Sequence, residues 1–295
     1  MLTRSLGYSL VTGLALAAAV SAYAADAPLR ILYLTKSQGF EHSVVAEKDG
    51  KPSWSGVALT KLAEEMGAEL TCTKDASVVN AENLKKYDLV VFYTQGDLTQ
   101  SSKDGGAPMG PSGEADLLAW IRAGGRYLGF HSASDTFHGP EGGPVTPYLD
   151  MVGGEFNGHG AQFVGAVKVV DPTHPAMAHI PQDWAVKEEW YTFKSFNTKT
   201  MHVLALMDAG DERAKQEMYN TPSYPIIWCS EYGAGRVLLN GMGHREDLWL
   251  NAAFKQSIVD AIHWLMADGP AQAEPNFDQV EIGRASCRER VYHPV

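Results

Sequence analysis

Gly125-Arg126-Tyr127-Leu128-Gly129-Phe130-His131-Ser132-Ala133-Ser134 decides how this chain is read. An apolar run that breaks into small polar residues is the pattern of a strand buried on both faces, and its carboxyl end is marked by the break. In open α/β sheets ligands bind at that end. An imidazole at His131, followed by Ser132, Ser134 and Asp135, therefore marks a functional loop.

Upstream, residues 114–123 carry Leu117, Leu118 and Ile121 on one helical face and stop at Gly124-Gly125. Earlier still, residues 30–35 read as a buried strand. Residues 55–66 read as a helix with Val57, Leu59, Leu62 and Met66 inward, residues 68–73 as a strand, 82–86 as a short helix and 88–93 as a strand. This alternation predicts an α/β fold, flavodoxin-like, with a mainly parallel sheet and helices on both faces. Downstream, strands are expected over 162–170, 188–193 and 202–207. A hairpin is expected over 225–231 and 236–240 around Tyr232-Gly233-Ala234-Gly235, and a last amphipathic helix over 249–266. No internal repeat divides the chain, so one domain is expected over residues 28–268.

Both ends read differently. Arg4, an apolar stretch from Leu10 to Val20 and Ala22-Tyr23-Ala24 match a signal peptide over residues 1–24, which predicts a periplasmic or secreted protein. No later segment is apolar enough to cross a bilayer, so no membrane association is expected after cleavage. Residues 269–295 lack strand or helix periodicity and are expected to be a tail, disordered or foreign to the native protein. Acidic residues outnumber basic ones 35 to 24, for a net charge of -11, which argues against a nucleic-acid or anionic-membrane partner. Of the three cysteines, Cys287 falls in the tail, and Cys72 and Cys229 read as buried thiols on separate strands. Without a Cys-x-x-Cys pair, neither a zinc ribbon nor a redox dithiol is indicated.

Three further histidines sit in glycine-rich settings: His42 in Gly39-Phe40-Glu41-His42, His159 in Asn157-Gly158-His159-Gly160, and His244 in Gly241-Met242-Gly243-His244. Glycines let the backbone turn sharply and approach a ligand, so these loops are expected to build one site with His131. Glu188-Glu189-Trp190-Tyr191 reads as part of a strand in which period two turns one carboxylate inward. Glu189 is assigned there because Tyr191 and Phe193 share its face. Glu246, two residues after His244, is expected to orient it. His174 and His263 read as structural, one in a turn and one packing a helix, while His138 beside Gly139-Pro140 stays open. Two rival motifs fail. Gly129-Phe130-His131-Ser132-Ala133 has its serine one step late for a hydrolase elbow, and residues 153–160 lack the Lys-Ser/Thr ending of a phosphate loop.

The residues expected to act are thus His131, His159, His244 and Glu189, by acid–base catalysis or as ligands of a divalent metal such as Zn²⁺, Mn²⁺ or Fe²⁺. His42, Ser132, Asp135, Tyr191 and Glu246 are expected to contact substrate.

In this order, Gly129-Phe130-His131-Ser132-Ala133, Gly153-Gly154-Glu155-Phe156 with His159, Thr173-His174-Pro175, Glu189 with Tyr191, and Gly233-x-Gly235-Arg236-Val237 leading to Gly243-His244 make the chain similar to ThuA-like proteins. That family is named for trehalose utilisation. It resembles the class I glutamine amidotransferases in fold, and by that resemblance His131 stands where the nucleophilic cysteine would be. His244 and Glu246 keep the His-x-Glu spacing of the amidotransferase triad. Without the thiol no thioester forms, so no glutaminase activity is expected. The resemblance implies a small carbohydrate or keto-sugar ligand and, for an enzyme, a lyase, hydrolase or isomerase. The alternative is a non-catalytic sugar-binding protein whose aromatics, among them Trp54, Trp184, Trp190, Tyr191 and Trp249, stack on sugar rings.

Overall fold

The computed structural model describes residues 27–280. The expected signal peptide, Cys287 and residues 281–295 lie outside the described residues. The elements run β1 (Arg30–Leu34), α1 (Trp54–Glu65), β2 (Glu69–Thr73), α2 (Ala81–Leu84), β3 (Leu89–Phe92), α3 (Gly113–Arg122), β4 (Arg126–Phe130), α4 (Pro147–Val152), β5 (Glu155–His159) and β6 (Phe163–Val169). They continue with β7 (Asp183–Glu188), β8 (Tyr191–Lys194), β9 (His202–Asp208), β10 (Tyr224–Tyr232), β11 (Gly235–Asn240) and α5 (Ala252–Met266).

Nine strands form one sheet in the order β2-β1-β3-β4-β11-β10-β9-β6-β7, while β5 and β8 pair as a separate two-stranded sheet. The first five strands of the large sheet run parallel, in the 2-1-3-4-5 order of flavodoxin-like folds. From β11 onward the pairings are antiparallel. The apolar runs explain the parallel half, because both faces of its strands are covered. Ile31, Tyr33, Val91, Leu128 and Phe130 point into the core under α1 and α5. Leu32, Leu34, Val90, Phe92 and Tyr127 point into the core under α3. Each such side chain contributes about 1.5–3 kcal/mol when fully buried.

Local chemistry sets the boundaries. The Ser53 hydroxyl accepts the Gly56 N–H and starts α1, and Asn251 accepts the Phe254 N–H and starts α5 after a 3₁₀ turn at Leu248–Leu250. The tight connection from β10 to β11 requires glycine at 233, where φ is +65° and a Cβ would lie 2.5 Å from the Arg122 carbonyl oxygen.

Several expectations are corrected. Val57 is 56% exposed, because it lies two residues from Leu59 and so on the opposite side of α1 from Leu59, Leu62 and Ala63. Cys72 is exposed on edge strand β2, whereas Cys229 is buried. His263 lies exposed on α5 and packs no helix. Residues 188–193 are not one strand. β7 ends at Glu188 in the large sheet, Glu189 and Trp190 cross, and β8 begins at Tyr191 in the small sheet.

The supposed tail also belongs to the fold as far as residue 280. Ala271 and Ala273 are buried. Trp264 Nε1 donates to the Ala271 carbonyl at 2.6 Å, and Arg236 Nη2 to that of Gly269 at 2.6 Å. The Asn276 side chain accepts from Val203 N at 2.6 Å and donates to Val203 O at 3.0 Å, which completes strand groups near the start of β9. Ending the chain at Asp268 is expected to lower unfolding stability by about 4 kcal/mol, at about 1 kcal/mol for each such bond lost. Urea denaturation measures it, and an unchanged midpoint would contradict this packing.

Candidate functional site

The carboxyl ends of the parallel strands meet the crossing between the two sheets, and the polar residues gather there. β4 ends at Phe130, and a 3₁₀ segment, His131–Asp135, starts at His131. Its φ is +42°, in the left-handed region that costs a non-glycine residue roughly 1–2 kcal/mol. The register of β4 with β11 sets Phe130 opposite Asn240, so the next residues, His131 and Gly241, come level. The Gly241 carbonyl lies 3.2 Å from His131 Nδ1. A carbonyl only accepts, so Nδ1 carries the proton and Nε2 of the neutral ring is a bare acceptor.

His42 comes from the loop after β1 and is 2% exposed. Its Nε2 lies 3.1 Å from the Tyr191 hydroxyl, and the Tyr191 ring covers that of His131 with centroids 3.7 Å apart. His244 follows β11, and the His42, His131 and His244 rings lie 5.0 to 5.4 Å apart. Glu189, at the crossing, faces the group: Oε2 is 2.9 Å from His244 Nδ1 and 3.5 Å from His131 Nε2, while Oε1 is 3.3 Å from His159 Nδ1. His159 closes the outer side, with its side chain 42% exposed.

Burial by itself would raise the pKa of Glu189, yet the imidazoles of His131 and His244 outweigh it and hold the group far below the usual carboxylate range. Burial lowers both His42 and His131, and neighbouring imidazoles add to the effect. For His244 burial also lowers, but Glu189 overrides it and the net shift is upward.

Glu188, which period two would turn outward, also faces the group. Its side chain is fully buried and accepts the N–H groups of Glu189 at 2.7 Å, Gly243 at 2.9 Å and His244 at 3.2 Å. Burial raises it to about 7, against the pull of those backbone donors. Both carboxylates face inward because the strand ends between them and period two does not carry across. Gly243, at φ +127°, is what lets consecutive N–H groups converge on one oxygen of Glu188.

Three side-chain atoms of this region, His42 Nδ1, His131 Nε2 and Ser132 Oγ, are buried without a hydrogen-bond partner, and His244 Nδ1 is buried with the Glu189 carboxylate 2.9 Å away. One ligand atom each from His42, His131, His244 and Glu189 fall within 4.8 Å of one another. The structure thus puts His42, not His159, in the tight group with His131, His244 and Glu189. His159 stands on the far oxygen of Glu189.

The remaining expected contacts are placed differently. Glu246 does not orient His244. It accepts from the Ser43 hydroxyl, and Glu189 takes His244. Ser132 is completely buried, so it lies beneath the loop surface. Asp135 accepts from Gln95 Nε2 at 2.9 Å and from His138 Nε2 at 2.5 Å. Gln95, unremarked in the sequence, also accepts the N–H groups of Gly39 and Phe40 at 2.8 and 2.9 Å and so fixes the approach to His42. Trp190 and Trp249 are fully buried core residues, Trp184 is nearly so, and Trp54 is exposed on α1. Of the aromatics expected to stack on sugars, Tyr191 alone lies among the histidines.

A sequence model of the ThuA family, described as trehalose utilisation, matches residues 30–265. Among solved structures, a ThuA-like protein from Bacteroides uniformis is 19% identical with a TM-score of 0.64, covering 86% of this chain and 98% of that one. Another, from Parabacteroides merdae, is 15% identical with a TM-score of 0.58, covering 84% of this chain and 95% of that one. At such identities the likeness shows the fold. No curated protein matches the sequence.

His138 ties the small sheet to the His131 loop, donating to Asp135 at 2.5 Å and to Glu155 of β5 at 2.8 Å. Hydrogen bonding to Asp135, then to Glu155, raises its pKa despite burial. Its stabilisation is therefore complete below the unfolded histidine value of about 6.5 and lost as pH rises through the higher folded value. For so exposed a group the contribution is under about 1 kcal/mol. Thermal unfolding of wild type is expected to show this loss with rising pH and His138→Gln to lack it. Identical pH profiles would contradict the bridge.

Proposed function

Because the chain belongs to the ThuA family, whose sequence model spans most of its length, we propose that it is an exported protein acting on a carbohydrate or keto-sugar derivative by histidine and carboxylate acid–base chemistry. The leader-like residues 1–24 support export. The observation that carries the reaction is the pairing of half-exposed His159 with Glu189, 3.3 Å apart, beside the buried imidazoles of His42, His131 and His244.

In this reading His159 takes the proton from the carbon beside a sugar carbonyl. The electron pair moves to the carbonyl oxygen, and the resulting enolate either expels a leaving group from the next carbon or is reprotonated. Glu189 orients His159 and balances the imidazolium that forms. Imidazole at His131, in place of a thiol, offers no route to a thioester, so glutaminase activity is not part of the proposal.

The test is a product assay on 3-keto-glucosides. Wild type is expected to turn them over, and His159→Ala to lose about 10²–10⁴-fold in rate while still binding ligand. Ligand binding without turnover by wild type would replace the enzyme with a sugar-binding protein, and a 3-keto-glucoside neither bound nor changed would remove this substrate class.

A further inference from the structure

The unpartnered nitrogens beneath His159 need an explanation that the acid–base reading does not supply. His131 Nδ1 is committed to the Gly241 carbonyl, and His42 Nε2 to the Tyr191 hydroxyl. Their other nitrogens, His131 Nε2 and His42 Nδ1, are buried without a partner, His244 Nδ1 is buried beside Glu189, and one ligand atom of each of the three rings lies within 4.8 Å of a Glu189 oxygen. His131 Nε2 and Glu189 Oε2 stand 3.5 Å apart with no hydrogen bond between them. A burial that leaves a polar atom unpaired costs about 1–3 kcal/mol for each group. One proton satisfies one facing pair and leaves the other nitrogens bare, whereas one divalent cation satisfies them all.

We infer that His42, His131, His244 and Glu189 form a binding site for a divalent transition-metal ion. Three imidazole nitrogens and one carboxylate oxygen suit Zn²⁺, Mn²⁺ or Fe²⁺ and disfavour Ca²⁺ and Mg²⁺, which prefer oxygen. Metal bonds of 2.0–2.2 Å in tetrahedral geometry separate ligand atoms by about 3.4 Å. The pairs His244–Glu189 at 2.9 Å and His131–Glu189 at 3.5 Å already stand near that spacing, and all of the donors lie within 4.8 Å.

The surroundings match what metal-binding imidazoles require. Ligand histidines are held by a hydrogen bond from the nitrogen that does not bind, the role of the Gly241 carbonyl for His131 and of the Tyr191 hydroxyl for His42. Glu188 anchors the backbone N–H of His244 and so sets that ligand's position. His159 contacts the opposite oxygen of Glu189 and stays outside the ligand group. The site deepens the proposed function, since an ion there would polarise a carbonyl oxygen placed beside His159, but metal binding stands independently of any sugar.

Untagged mature protein, stripped of metal and titrated with Co²⁺ alone, tests the inference. One equivalent is expected to bind and to show the visible ligand-field bands of a four- or five-coordinate site. His42→Ala and His131→Ala are expected to weaken binding about 100-fold or more, beyond the 10–100-fold typical of losing an outer partner, while His159→Ala binds as wild type does. Circular dichroism checks folding. If His131→Ala unfolds, His42→Gln and Glu189→Gln carry the same expectation. Failure of wild type to take up Co²⁺, undiminished binding by His42→Ala, or equal loss in His159→Ala would overturn the site. Metal uptake without turnover of 3-keto-glucosides would remove the proposed reaction alone, and turnover without metal uptake would remove this inference alone.

Discussion

One carboxylate holds the arrangement together. Glu189 occupies the short crossing where the chain leaves the nine-stranded sheet for the small one, and it faces imidazoles contributed by the ends of β4, β5 and β11. The crossing is pinned on both sides. Before it, Glu188 accepts backbone N–H groups from Gly243 and His244. After it, Trp190 is fully buried, donates Nε1 to the Phe163 carbonyl at 3.1 Å and accepts the Tyr219 hydroxyl at 2.5 Å. The acid is thereby fixed at the end of a braced segment, which is what a preorganised site requires.

The two halves of the sheet do different work. The parallel half, covered on both faces, presents a carboxyl edge from which His42, His131 and His244 project at the position where this topology places ligands. The antiparallel half carries the crossing and, through β5 and β8, brings His159 and Tyr191 over that edge. Stability is given up in the process. His131 sits in a left-handed conformation, the Glu188 carboxyl group is fully buried, and imidazole nitrogens of His42 and His131 lack partners. Such costs gather where a protein binds or reacts, and the apolar core on either face of the sheet offsets them.

Much of this was legible from residue pattern alone. Continuous apolar runs identify β1, β3 and β4 because strands buried on both faces leave no polar face to interrupt them, and the ordered motifs place the chain in its family. The edges of that legibility are physical. Period two locates Glu189 but misplaces Glu188, since a chain that changes sheets between adjacent residues breaks the alternation. Chain proximity favours Glu246 as the partner of His244, yet the loop turns Glu246 to Ser43 and leaves the nearer approach to Glu189. Equal glycine-rich settings do not distinguish His42 from His159, because their difference is depth, one sealed beneath Tyr191 and the other at the surface. Residues 269–280 carry no periodicity because their hold comes from individual carbonyl and amide bonds.

The claim that these imidazoles share one carboxylate is tested most directly by long-range ¹H–¹⁵N correlation of the histidine side chains in wild type and Glu189→Gln. The account predicts that His131, His159 and His244 all change their ring-nitrogen shifts together, and that His131 in the metal-free wild type keeps its proton on Nδ1. Independent behaviour, with only one of the three responding or His131 protonated on Nε2 alone, would contradict it.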